Sequence, residues 1–327
     1  MSYASLTCQY DDRKNIRCTE QANVSGFCYW HDKSIDKSDP AVKKKLMDYV
    51  RSGGLTRGIY LINTDLSQID LVNHKHKEGY DFSYADFYHA NLSGAHLFHI
   101  KLEQASLMKA NLSYAKLNYA NIKDTNLLGI KWEGCKIEHI LLSDCLKQES
   151  LAKAALKQKE TEKAYDYFEQ AEEIYRDLRK HAEQEGIFTL AGELIQRELT
   201  MRRKQMPVFS FKRLMSKLVY LFCGYGEDPL KIIGFSIGMI IFCACIYTFT
   251  GLNYQGQNVV YQIGEPFHEL TSLFFSCLYY SVVTFTTLGY GDFTPVGISR
   301  SIAAIEAFTG SFAIALFVVV FVKKMTR

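Results

Sequence analysis

The chain has 327 residues, 48% of them hydrophobic, and a formal net charge of only +3. Charge therefore identifies no partner. The first thirty residues are charged and contain cysteine rather than an apolar core, so we expect no cleavable signal peptide. We also expect no enzyme, because no nucleophile, base and orienting group recur at catalytic spacing and no phosphate-binding loop is present.

Four residues of metal-binding type are regularly spaced near the N-terminus. Nine residues separate Cys8 from Cys18 and Cys18 from Cys28, and His31 follows Cys28 after two more. Three thiolates and an imidazole form a tetrahedral zinc set, and the spacing resembles that of small plant and bacterial Cys-Cys-Cys-His modules. We therefore predict a structural zinc-binding module in residues 1–40. Unconnected cysteines in a flexible tail are the alternative.

From residue 82 onward the sequence repeats every five residues, a period that fits neither a helix nor an ordinary strand. The pattern resembles the pentapeptide-repeat family. This resemblance implies a right-handed quadrilateral β-helix over residues 58–146, with four repeats per coil, after a helical linker at 41–57. The apolar column of the repeats consists of Phe82, Phe87, Leu92, Leu97, Leu102, Leu107, Leu112, Leu117, Ile122, Leu127, Trp132, Ile137 and Leu142.

Residues twenty positions apart should stack in such a fold, so we predict that His99, Tyr119 and His139 form one outward column. Because histidine titrates near physiological pH, this column is either a proton sensor or ordinary solvated surface. Some members of the family mimic DNA through an acidic surface, but lysines offset the acids here, and we expect no nucleic-acid partner. A cytoplasmic protein or ligand is left open as the partner of the β-helix.

Residues 147–206 are rich in Ala, Glu, Lys and Leu, and Gly186 marks a break. This composition predicts an α-helical hairpin that joins the cytoplasmic domains to the pore. Over residues 209–222, aromatic and aliphatic residues are interleaved with lysine and arginine. Such interleaving is typical of a helix at the inner membrane face.

Two long apolar runs lie in the C-terminal third of the chain. Residues 232–250 carry no charge, and residues 302–322 are interrupted only by Glu306. About 20 apolar residues are needed to cross a bilayer as a helix, so we predict an outer helix at about 229–251 and an inner helix at about 299–323. A shorter apolar run opens at Pro266 and predicts a pore helix at about 267–285 that crosses the membrane only halfway.

Residues 286–292 read Thr-Thr-Leu-Gly-Tyr-Gly-Asp between these runs. Glycine adopts backbone angles that other residues disfavour, so its alternation with bulkier residues lets successive carbonyls point the same way. The segment closely resembles the selectivity filter of prokaryotic two-transmembrane potassium channels. That resemblance implies an all-α pore domain over residues 207–327 in a homotetramer that conducts K⁺. The residues expected to bind the ion are Thr287, Leu288, Gly289, Tyr290 and Gly291.

A second Gly-Tyr-Gly triplet, at residues 224–226, provides an internal comparison. It lacks paired threonines and lies outside both apolar runs. We interpret it as a loop, because Asp228 next offers a capping side chain and Pro229 suits the first helical position.

The support of the filter departs from the family pattern. In the bacterial prototype, a pore-helix glutamate four residues before the filter threonine pairs with the aspartate after the last glycine. That position is Val283 here, so Asp292 must find another donor. Tyr279 or Tyr280 could supply a hydroxyl, and we predict a hydrogen bond between Tyr279 and Asp292. Thr286 is the remaining residue that we expect to support the filter.

Two features of the inner helix are candidates for gating. Gly310 falls where related inner helices carry a hinge glycine, but a glycine equally suits close helix packing. Phe317 and Phe321 delimit an apolar stretch that could form a hydrophobic constriction, with lipid contact as the alternative. No helix repeats arginine at every third position, so we expect no voltage sensor.

Cationic residues precede the first crossing and follow the second, which predicts a multi-pass protein of the cell membrane with both termini in the cytoplasm. The whole chain is thus expected to be multidomain. Its function is predicted to be potassium-selective conduction with regulation, assembly or partner binding by the N-terminal region. A nonselective cation channel and a membrane-anchored repeat scaffold are the alternatives.

Overall fold

The computed structural model describes residues 7–12, 16–261 and 267–326. The chain divides into two compact units, Met1–Pro207 and Val208–Arg327, which we call the N-terminal unit and the channel unit. Pro266, the expected start of the pore helix, lies outside the described residues.

The N-terminal unit begins with two short antiparallel strands, β1 (Asp11–Asp12) and β2 (Ile16–Arg17). Helix α1 (Ala41–Arg51) follows, and the Asp39 carboxylate just before it accepts a hydrogen bond from the Ala41 amide at 2.8 Å. It buries residues spaced four apart, as expected for a helix with one apolar face. These residues are Val42, Leu46 and Val50.

The repeats form stacked coils of twenty residues. Isolated parallel bridges join Asp81 to Lys101 and Lys101 to Asn121, and the Phe82 amide donates to the Lys101 carbonyl at 2.7 Å. The apolar column predicted from the sequence is buried from Phe82 to Ile137, so the pentapeptide-repeat fold is confirmed by its core. The coils pair through single bridges rather than extended strands.

The predicted outward column is also confirmed. The rings of His99 and Tyr119 stack with centroids 4.9 Å apart, and those of Tyr119 and His139 with centroids 4.8 Å apart. Each of these residues has a positive φ, and so does every fifth residue from Tyr84 to His139. The left-handed conformation therefore recurs once per repeat and turns the chain onto the next face.

Three helices follow the repeats: α2 (Lys147–Lys157), α3 (Thr161–Gln184) and α4 (Phe188–Gln205). The break between α3 and α4 lies at Gly186, which has a φ of 76°, as expected for a glycine after a helix end. The predicted hairpin is therefore α3 and α4, but the prediction of only two helices was wrong. The additional break comes at Lys159, which adopts a left-handed conformation without a glycine or proline to signal it.

The channel unit begins with α5 (Phe211–Cys223) and a short 3-10 turn (Gly224–Gly226), followed by α6 (Pro229–Thr250). Asp228 caps α6 by accepting a hydrogen bond from the Leu230 amide at 3.1 Å, with Pro229 at the first helical position. The interpretation of the upstream Gly-Tyr-Gly triplet as a loop before a capped helix is thus confirmed.

Beyond α6 the order is β3 (Leu252–Tyr254), β4 (Gln257–Val259), α7 (Phe267–Phe285), β5 (Phe293–Pro295) and α8 (Ser299–Met325). The strands form an antiparallel sheet in the order β4-β3-β5, which sequence reasoning did not predict. Among the described residues, α6 and α8 are the helices long and apolar enough to cross a membrane. Helix α7 packs against both of them.

Candidate functional site

The backbone of residues 286–292 leaves helical geometry at the end of α7. The last helical bonds run from the Thr286 amide to the Val282 carbonyl and from the Leu288 amide to the Val283 carbonyl, each at 3.0 Å. From Thr287 to Gly291, φ is positive at every second residue. The values are 57° at Thr287, 59° at Gly289 and 80° at Gly291. Residues of positive and negative φ that alternate turn the chain in opposite senses, so successive carbonyls can face one side.

Thr287 adopts this conformation although its side chain is β-branched. A positive φ is a genuine outlier for such a residue, and strain of this kind concentrates at functional sites. Its hydroxyl donates to the Thr286 carbonyl at 2.7 Å, while the Thr286 hydroxyl donates to the Val282 carbonyl at 2.7 Å. Thr286 thus fastens the start of the segment to the last turn of α7.

The far end of the segment is held by Tyr279 and by β5. The Tyr279 side chain lies close enough to Asp292 for the two to interact electrostatically, and the hydrogen bond between them stays a prediction. Phe293 in β5, the residue after Asp292, stacks on Tyr254 with ring centroids 4.7 Å apart. Tyr280 plays a different part from Tyr279, because it is buried and its ring meets that of Tyr247 edge-on at 5.0 Å. Val283 is buried as well.

Gly310 on α8 is required for close packing. A Cβ built on this residue would lie 2.0 Å from the carbonyl oxygen of Phe285, the residue before Thr286. The packing alternative for Gly310 is therefore confirmed, and the inner helix contacts the backbone that leads into the segment. The rings of Phe317 and Phe321 stack with centroids 5.7 Å apart, and a role in gating stays a prediction.

Glu306 is the residue that sequence reasoning missed. Only its position as a lone carboxyl in an apolar run could have drawn attention to it, because ionisable residues inside a membrane are costly and commonly functional. In the structure it is fully buried. The Tyr247 hydroxyl donates to one of its oxygens at 2.7 Å, and Ser281 of α7 contacts the other.

Cys8, Cys18, Cys28 and His31 converge in the N-terminal unit, and their ligand atoms all lie within 4.8 Å of one another. Nδ1 of His31 is 3.8 Å from the Cys8 sulfur and 3.1 Å from the Cys28 sulfur, and the Cys18 and Cys28 sulfurs are 3.8 Å apart. Zn–S bonds of about 2.3 Å in a tetrahedron separate sulfurs by about 3.8 Å. The four residues therefore fit one tetrahedral metal ion.

The surroundings of His31 prepare it as a ligand. Its Nε2 is 2.9 Å from the Arg57 carbonyl, so Nε2–H donates there and the Nδ1 lone pair faces the three sulfurs. Burial lowers the pKa of His31, which favours the neutral imidazole that binds metals. Burial raises the pKa of Cys18 to about 12. Binding of a metal ion would favour loss of the thiol proton, because the thiolate is the form that binds metals.

Arg57 joins this cluster to the repeats. Its Nε donates to the Asp12 carboxylate at 2.6 Å, and its Nη1 donates to the carboxylate of Asp81. The ring of Tyr10 stacks on His31 with centroids 4.0 Å apart. The metal-binding loop is thus built against the repeats rather than tethered to them by a free linker.

We predict that Gly310→Ala abolishes or strongly reduces ion flux, because the added methyl group must displace the Phe285 carbonyl. Flux into vesicles containing the purified channel is the measurement. Gly234→Ala is the matched control, since a Cβ on that helical glycine of α6 meets no atom within 4 Å. Equal flux in the two variants would contradict the packing argument.

The four candidate metal ligands can be tested by removing one of them. Cys18→Ser should remove most of the metal from the purified protein, because one buried thiolate of the set is lost. Metal content is measured by elemental analysis, with Cys245→Ser as the control, since Cys245 is exposed and distant in sequence. Retention of a full equivalent of metal by Cys18→Ser would refute the ligand assignment.

Residues 234–327 match the family model described as an ion channel, and residues 90–127 match that of pentapeptide repeats in eight copies. No curated protein matches the sequence.

Solved pentapeptide repeat proteins resemble the repeat segment. Rfr23 from the cyanobacterium Cyanothece 51142 is 27% identical, with 27% of this chain and 56% of its own covered and a TM-score of 0.25. The alr5209 protein from Nostoc Pcc 7120 is also 27% identical, with 31% of this chain and 86% of its own covered and a TM-score of 0.26. One chain thus joins a C-terminal segment that matches an ion-channel family to an N-terminal segment that matches pentapeptide repeats.

Proposed function

We propose that the channel domain conducts potassium selectively as a homotetramer. The observation that carries this proposal is the positive φ at Thr287, Gly289 and Gly291 in a segment anchored at both ends. Four such segments around one axis would present rings of carbonyls from residues 287–291, which replace the hydration shell of K⁺. Retention of the full Gly-Tyr-Gly-Asp sequence favours potassium over a nonselective cation pore.

The exposed side chains of residues 286–292 support assembly of several subunits into a ring. Leu288 and Tyr290 are 60% and 68% exposed in one chain, beside backbone that has left the helix. Such backbone is tolerated at membrane depth only where protein covers it or water lines it. Neighbouring subunits would supply the cover, and a water-filled axis would supply the remaining side.

Both termini are proposed to lie in the cytoplasm. The ammonium group of Lys323, near the end of α8, pairs with Glu227, just before α6, so the two helices have these ends on the same side. Lysines and arginines concentrate at these ends, which is the bias of cytoplasmic loops. Helix α5 exposes Phe211, Leu214 and Leu218 and fits a position at the inner membrane face.

For the N-terminal unit we propose a right-handed quadrilateral β-helix and a structural zinc ion held by the three cysteines and His31. The parallel bridges at an interval of twenty residues support the β-helix, and the tetrahedral spacing supports zinc. This unit would regulate the channel, assist its assembly or bind a cytoplasmic protein or ligand. A scaffold with a silent pore is the competing function.

The test is ion flux into vesicles that contain the purified full-length channel, with potassium and sodium compared. We expect potassium flux well above sodium flux, and its loss in Gly289→Ala, since a left-handed Ala costs about 1–2 kcal/mol in each subunit. Gly238→Ala, on α6, is the control and should conduct normally, because its Cβ meets no atom within 4 Å. Equal flux of both ions would favour a nonselective channel, and no flux would favour a scaffold.

A further inference from the structure

The strongest unexplained feature of the channel unit is the buried carboxyl of Glu306. It lies on α8 and is enclosed between α6, which supplies Tyr247 and Cys243, and α7, which supplies Ser281. Its exposed fraction is 0%. None of the ion pairs among the described residues involves Glu306, so no cation is placed to balance a charge there. A buried, unpaired carboxylate is strongly unfavourable.

The hydrogen bonds of Ser281 also indicate that the Glu306 carboxyl carries a proton. Its hydroxyl oxygen is 2.9 Å from the Ile240 carbonyl of α6 and also within hydrogen-bond distance of a Glu306 oxygen. A hydroxyl has one proton and can donate to only one of these partners, whereas it can accept from another donor. A carbonyl cannot donate. If the hydroxyl donates to Ile240, the contact with Glu306 requires a proton on the carboxyl group.

We propose that Glu306 is a neutral carboxylic acid that acts as a positioning residue for the filter. Its proton is donated to Ser281, and its other oxygen accepts from Tyr247. The result is one continuous chain of hydrogen bonds that runs from Tyr247 through Glu306 and Ser281 to the Ile240 carbonyl. Cys243 of α6 lies beside the same carboxyl group.

This chain connects the outer, pore and inner helices at one point. Ser281 lies five residues before Thr286, so the connection fixes the half of α7 that delivers the filter. The pore helix has Val283 where the family prototype has a carboxyl beside the filter aspartate. In this chain the carboxyl that contacts the pore helix α7 is that of Glu306, which lies on the inner helix α8. The predicted effect of Glu306 on conduction rests on the proposed potassium-channel function. Its predicted protonation state does not depend on that function.

The protonation state is tested by infrared spectroscopy of the full-length channel in lipid at neutral pH. The difference spectrum between the wild type and Glu306→Gln should contain the carbonyl band of one protonated carboxylic acid per chain. Glu269→Gln is the matched control, because Glu269 on α7 is 54% exposed and its loss should remove only carboxylate bands. A Glu306 difference that shows only carboxylate bands would overturn the proposal, whether or not the channel conducts.

The positioning role is tested by flux and by the potassium-to-sodium ratio. Gln keeps a donor toward Ser281 and an acceptor for Tyr247, so Glu306→Gln should conduct within about twofold of the wild type. Glu306→Ala leaves both hydroxyls without this partner and should lower potassium flux or selectivity by about tenfold or more. Unchanged flux and ratio in the Ala variant, or loss of both in the Gln variant, would contradict the role. Absence of flux in the wild type would refute the potassium channel instead.

Discussion

Backbone that leaves a helix inside a membrane must be covered, and the channel domain is organised around this constraint. Residues 286–292 have no helical partners beyond Leu288, and their side chains are largely exposed in one chain. The fold holds only the two ends of the segment, through the last turn of α7 and through β5. A fourfold arrangement would cover the exposed residues between these ends.

Three contacts behind the segment determine where it lies. Gly310 allows α8 to approach the Phe285 carbonyl, Glu306 contacts Ser281, and Tyr279 interacts electrostatically with Asp292. They act at successive levels of the pore helix and its exit. Each contact would be weak alone, because a single buried hydrogen bond contributes only about 1 kcal/mol. Repeated in four subunits around one axis, they would hold the carbonyls at the spacing that an ion requires.

Much of this architecture could be predicted from the sequence, because local chemistry dictates it. The period of five residues identifies the buried column of the repeats, and Asp228-Pro229 identifies the start of α6. The repeat turns could not be predicted from residue type. Glycine occupies the left-handed position at Gly94, Gly129 and Gly134, but histidine, tyrosine and lysine occupy most of the others, held there by the stacked coils.

The hydrogen-bond partners of buried groups could not be predicted from the sequence either, because they are distant along the chain. Tyr247 lies 59 residues from Glu306, and Arg57 lies 26 residues beyond the histidine whose Nε2–H it accepts. Residue spacing could identify the four metal ligands, but it could not reveal that Arg57 orients one of them. The break at Lys159 and the sheet after α6 likewise arise from packing, with no sequence signal that distinguishes them from ordinary loops.

The most direct test of the proposed filter is an anomalous-scattering map of the assembled channel soaked in a heavy potassium substitute such as rubidium or thallium. We predict a row of ion peaks on a fourfold axis, between the carbonyls of residues 287–291. An assembly without that symmetry, or a fourfold assembly with no ion at these carbonyls, would contradict a potassium-selective tetramer.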